Sequence, residues 1–66
     1  MLRTYTLYLR GHDGADRFEP AMCRTDVDAM ARARLLLAQN PDCRSIDAYF
    51  GDQHLFSVAA PNSDGE

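Results

Sequence analysis

The chain has 66 residues, 45% of them hydrophobic, and a formal net charge of −3. That length allows one domain with a thin core, since folding at this size buries only about 60% of the surface that the unfolded chain exposes. The seven basic residues are all arginine and form no run, which argues against the clustered positive charge on which nucleic-acid binding rests. No apolar stretch approaches the roughly 18 residues that span a bilayer. Residues 1–3 lead into alternating polar and apolar positions instead of a signal-peptide core, so the expected setting is cytoplasmic, away from membranes.

In RTYTLYLR, residues 3–10, Tyr5, Leu7 and Leu9 alternate with Thr4, Thr6 and Tyr8. This period of two, rich in β-branched and aromatic residues, predicts the first strand. GHDGAD, residues 11–16, supplies two glycines and two aspartates that suit a chain reversal. A second strand follows over residues 17–24, where Pro20 cannot donate a ladder hydrogen bond and so predicts an edge position or a bulge.

Thr25-Asp26-Val27-Asp28 has the form of a helix start: Thr25 or Asp26 can accept from a free backbone N–H, and acidic residues suit the positive end of the dipole. The helix is expected to run to Gln39, with Asn40 as a left-handed cap and Pro41 barring continuation. At 100° per residue, Ala29, Met30, Ala33, Leu36 and Leu37 share one face, which predicts the side that covers the sheet. The alanines let the helix sit close to the strands. Val27, Ala31, Leu35 and Ala38 form a weaker apolar line, interrupted by Arg34, which meets either the sheet, if the helix is rotated, or a partner.

IDAYFGDQHLFSV, residues 46–58, reads as two alternating runs hinged on Gly51-Asp52. Glycine at the first central position favours a type II′ turn, which pairs Phe50 with Gln53, Tyr49 with His54 and Ala48 with Leu55. Ile46, Ala48, Phe50 and Leu55 are then expected on the helix side, and Asp47, Tyr49, His54, Phe56 and Val58 on the other. Residues 1–60 form one ββαββ domain in this reading, of α+β class, with a four-stranded antiparallel sheet and one helix on one face. Residues 61–66 are polar and expected to be loose.

This order, with YTLYL, a DG turn, CRTDVDAMARA and a final hairpin around Gly51-Asp52, resembles a group of short uncharacterised alphaproteobacterial proteins. Cys23 stands where a recurring cysteine of that group falls, and Ala29 and Ala33 match its spaced alanines. Its usual tryptophan is replaced by Tyr49, and Cys43 is not part of its pattern. The resemblance spans residues 4–58 and implies the fold; the group carries no assigned activity.

Cys23, Cys43, His12 and His54 include zinc-ligand residue types, but structural zinc draws ligands in close pairs and these four are isolated singletons. No metal and no cofactor is therefore expected. Cys23 precedes a helix start that could lower a thiol pKa, yet neighbouring aspartates act the other way, and a domain this thin has little depth for a water-excluded pocket. Asp13, Asp16, Asp26 and Asp28 read as turn and cap residues. GHDG lacks the lysine and following helix of a phosphate cradle. A single helix covers one side of a sheet, so Tyr8, Tyr49, His54 and Phe56 are expected to form an interface on the other side. The resulting expectation is a non-enzymatic binding or regulatory adaptor, in contact with a second copy or another protein. The alternative is a small-ligand or nucleic-acid binder that uses the same rings.

Overall fold

The computed structural model describes residues 1–12 and 14–60; Asp13 and the expected loose tail, residues 61–66, lie outside them. The elements are β1 (Arg3–Gly11), β2 (Arg17–Cys23), α1 (Asp26–Gln39), β3 (Cys43–Phe50) and β4 (Gln53–Ala59). The four strands make one antiparallel sheet in the order β2-β1-β3-β4. Both β2 and β3 run antiparallel to the β1 strand between them, so they are parallel to each other and α1 is the crossover that joins them. Among the described residues no helix is long and apolar enough to cross a membrane.

Local chemistry accounts for the boundaries. The first hairpin closes with Gly14 at φ +84, a conformation in which a side chain is strained, and the Gly14 N–H donates to the Gly11 carbonyl at 3.2 Å. Pro20 lies opposite Thr6 on β2, an edge strand, where a missing donor costs least. Thr25 is the N-cap, its hydroxyl accepting from the Asp28 N–H at 3.1 Å, with Asp26 and Asp28 in the first turn. Asn40 closes the helix, but not through the expected left-handed conformation. Its φ is −126, its N–H donates to the Leu37 carbonyl, and its side-chain amide donates to the Leu36 carbonyl at 2.7 Å. An amide side chain can serve the free carbonyls of a last turn directly, which removes the need for positive φ.

The helix packs on the predicted face except at Met30, which is half-buried at its margin and outside the core cluster. Ala29, Ala33 and Leu37 are buried against Tyr5, Leu7, Leu9, Ile46 and Ala48, and Leu36 lies against the same core. Small residues dominate the contact: Ala21, Cys23, Ala29, Ala33 and Ala48 are all buried. A close approach of helix to sheet needs them, because a larger side chain at these places would push the layers apart. Tyr5, fully buried, ties the two layers: its hydroxyl donates to Asp26 Oδ1 at 2.8 Å. The line Val27, Ala31 and Leu35 faces away from the sheet, with Val27 76% and Leu35 52% exposed. It is not the buried face of a rotated helix.

One expectation about the last hairpin is corrected. Phe50 pairs with Gln53 and Tyr49 with His54 as expected, and Gly51 is at φ +61 while Asp52 has negative φ, the signature of the type II′ turn. The register then shifts between Ala48 and Tyr49, so that Ala48 faces Phe56, Asp47 faces Ser57 and Ile46 faces Val58. Leu55 is the extra residue of a β-bulge. A one-residue shift exchanges the faces of everything beyond it, and Phe56 and Val58 therefore pack against the core on the helix side, together with Leu55.

Candidate functional site: the open face of the sheet

The helix-free side of the sheet can be read from the register. β2 contributes Phe18, Pro20 and Met22, β1 contributes Thr4, Thr6, Tyr8 and Arg10, β3 contributes Asp47 and Tyr49, and β4 contributes His54 and Ser57. Of the expected interface residues, Tyr8, Tyr49 and His54 are brought onto this face. Phe56 is not, because the bulge turns it to the helix side.

Two halves with different chemistry result. Toward β2 the face is apolar: Phe18 is 68% and Met22 63% exposed, and the Phe18 ring stacks on Tyr8 with centroids 4.6 Å apart. The Arg10 guanidinium covers the same Tyr8 ring at 4.6 Å, so the phenol is held between an aromatic ring and a cation. The Tyr8 hydroxyl donates to Asp16 Oδ2 at 2.9 Å, and the other oxygen of Asp16 accepts from the Gly11 N–H at 3.2 Å. This bond to a carboxylate, with a smaller contribution from burial, raises the Tyr8 pKa and keeps the phenol protonated. A shallow hollow lies between Tyr8, Phe18 and Tyr49, with Thr6, Gly51 and Asp52 around it.

Toward β4 the face is a polar chain. Arg10 Nε donates to Asp47 Oδ2 at 2.9 Å, the Ser57 hydroxyl donates to Asp47 Oδ1 at 2.7 Å, and His54 Nε2 lies 3.0 Å from Ser57 Oγ. Since the single hydroxyl proton of Ser57 is given to Asp47, the ring nitrogen of His54 is the donor in the last contact. Burial pushes the Asp47 carboxyl up, but the bonds from Ser57 and Arg10 outweigh it and hold the pKa below the ordinary carboxylate value. The Tyr49 ring meets His54 edge-on at 5.2 Å. Histidine, serine and aspartate thus lie in a row, but in an order that does not make a nucleophile. In a hydrolytic triad the histidine stands between the other two and takes the serine proton; here Ser57 is in the middle, and all its strands offer is an exposed surface.

The other sequence candidates lie apart. Cys23 pairs with Arg3 and Cys43 with Gly11, so they sit at opposite ends of β1, about 26 Å apart at a strand's rise per residue. Both are buried with free thiols. His12 is exposed beyond the end of β1, and His54 is on the open face. These four cannot meet at one ion. Asp16 and Asp26 each accept a tyrosine hydroxyl, and Asp28 is an exposed residue of the first helical turn.

Sequence reasoning left Phe18 and Met22 out of the site. The signal was present: in RFEPAMC the large apolar residues alternate with Ala21 and Cys23, and the latter match the close helix packing. No family model matches this chain, and neither a curated protein nor a solved structure does.

Proposed function

We propose that this chain is a small, non-enzymatic cytoplasmic adaptor that acts through protein–protein contact at the open face of its sheet. The observation that carries this reading is the stack of the exposed Phe18 on Tyr8, adjoined by Tyr49 on a face that no described element covers. Exposed apolar patches bordered by polar residues characterise interaction surfaces. Aromatic residues and arginine are also the side chains enriched in the energetic centres of interfaces. The internal bonding of Arg10, Asp47, Ser57 and His54 suits such a role, because a preorganised surface orders few side chains on binding. The partner class is protein, whether a second copy or a different chain.

A second reading is favoured by the hollow between Tyr8, Phe18 and Tyr49, which has room for a planar small ligand or an unstacked base. For nucleic acid it is weakened by charge, since Arg10, the cation among the rings, is already held by Asp47. A single-strand binder combines its aromatics with a basic groove.

The test is site-specific photocrosslinking in the native host with a benzophenone amino acid in place of Phe18, compared with the same probe at exposed Arg44 on β3. A discrete protein adduct from position 18 alone supports the proposal, and its mass separates a self-pair from a different partner. Equal smears from both positions, or a nucleic-acid adduct from position 18, would contradict it.

A further inference from the structure

A second surface lies along the outer side of α1 and reaches the β2 edge of the sheet. Val27, Ala31 and Leu35 recur every four residues along the outer face of α1, and Ala31, small and exposed, leaves room for another helix to approach closely. Beside this line a hollow between α1 and the edge strand β2 is lined by Leu2, Met22, Ala31 and Leu35, with Asp28 and Arg32 as its charged members on the helix and Arg24 at its β2 end. Leu2 and Met22 are 52% and 63% exposed. Large apolar side chains are thus concentrated on one helix face and the strand edge beside it.

The charges say what fits there. Asp28 and Arg32 stand one turn apart on the same flank of the line, a spacing at which helical ion pairs form, yet neither makes an ion pair or side-chain hydrogen bond with any described residue. A two-fold axis through Ala31, perpendicular to the helix, runs a second helix antiparallel and keeps each flank facing its own copy. Val27 then meets Leu35 of the second copy, Ala31 meets Ala31, and Asp28 reaches Arg32 of the second copy, twice. A parallel pair would instead set Arg32 against Arg34 of the second copy, with like charges together. In the antiparallel orientation the two Asp28–Arg32 contacts outweigh the single approach of Arg32 to Arg32 beside the axis, so the flank is complementary to itself, as a two-fold interface requires.

We infer that the outer face of α1 is a self-association surface, on which a second copy docks its own helix antiparallel about Ala31. The 14 residues of α1 make a helix about 21 Å long. With Leu2 and Met22 alongside, it offers a strip one helix wide, no larger than the low end of specific interfaces, about 1,200 Å² in total, so the dimer is expected to be weak. Its layers run sheet, helix, helix, sheet. Both aromatic sheet faces then point outward in opposite directions, which makes the dimer bivalent for whatever those faces contact. The inference does not depend on the proposed role of the sheet face.

The test is sedimentation equilibrium of the full chain up to hundreds of micromolar, with thermal melts to verify folding of each variant. The wild type is expected to dimerise. Ala31→Glu, at the two-fold axis, should weaken dimerisation by at least about tenfold. Asp28→Arg should weaken it, and Asp28→Arg with Arg32→Asp should restore it, since the exchanged pair is again complementary; Phe18→Ser should leave it unchanged. A strictly monomeric wild type overturns the inference. So does a dimer that survives Ala31→Glu and is lost in Phe18→Ser, a result that would place self-association on the sheet face instead.

Discussion

Arg10 Nε donates to Asp47 Oδ2 at 2.9 Å across the two central strands, and the Asp47 side chain is only 14% exposed while that of Arg10 is 37% exposed. With the bond from Ser57, this holds the carboxyl below its ordinary value despite burial. A folded-state pKa lower than the unfolded one contributes stability above the unfolded value, near 3.8 for this group, and the contribution is lost as pH falls through the folded value. The wild type is therefore expected to lose stability below about pH 4 more steeply than Asp47→Asn. Near pH 7 the two should differ by no more than about 1 kcal/mol, because the pair is partly solvated. Denaturant midpoints measured from pH 7 to pH 2.5 check this, and parallel pH profiles would contradict it.

Ala33 is fully buried where α1 crosses the sheet. Ala33→Leu should overpack this contact and cost on the order of 1–3 kcal/mol. Ala31→Leu, on the outer face, should cost nothing measurable in the monomer. Thermal melts of the two variants decide the matter, and coincident melts would mean that the helix has another orientation.

Phe56 and Phe18 are both aromatic residues of edge strands, but they face opposite layers. Phe56 packs against the core from β4, and Phe18 is 68% exposed on β2. Phe56→Ser should therefore cost about 2 kcal/mol or more, whereas Phe18→Ser should stay within about 0.5 kcal/mol of the wild type. Urea unfolding of both variants reads the difference, and a reversed ranking would return Phe56 to the open face.

Much of the fold was legible because its signals are local. Thr25 before two aspartates marked the start of the helix, Pro41 its end, Pro20 an edge strand, and Gly51-Asp52 the tight turn. The spacing of Ala29, Ala33 and Leu37 pointed to the buried face of α1, but the second apolar line of Val27, Ala31 and Leu35 left the rotation of the helix open. The bulge at Leu55 was less legible because HLFSV fits both phases of a strand. Leu55 and Phe56 are adjacent apolar residues, and only one can keep step with Ala48. Ser57 opposite Asp47 decides in favour of Phe56, but that bond joins strands ten residues apart in sequence. Phe18 and Met22 were missed for a related reason. Large apolar residues are usually sought in the core, whereas a helix seated this close to its sheet takes Ala21 and Cys23 from β2 and leaves the larger Phe18 and Met22 outside.

The central claim is that the stack of Phe18 on Tyr8 is a working protein contact. Once the adduct formed at position 18 has been identified, titration calorimetry of that protein, or of the chain itself in the case of a self-pair, compares the wild type with Phe18→Ser/Tyr8→Ser. The expected result is a loss of at least about tenfold in affinity, with the variant still folded by circular dichroism. Equal affinities for wild type and variant would contradict the claim and leave the open face as ordinary surface.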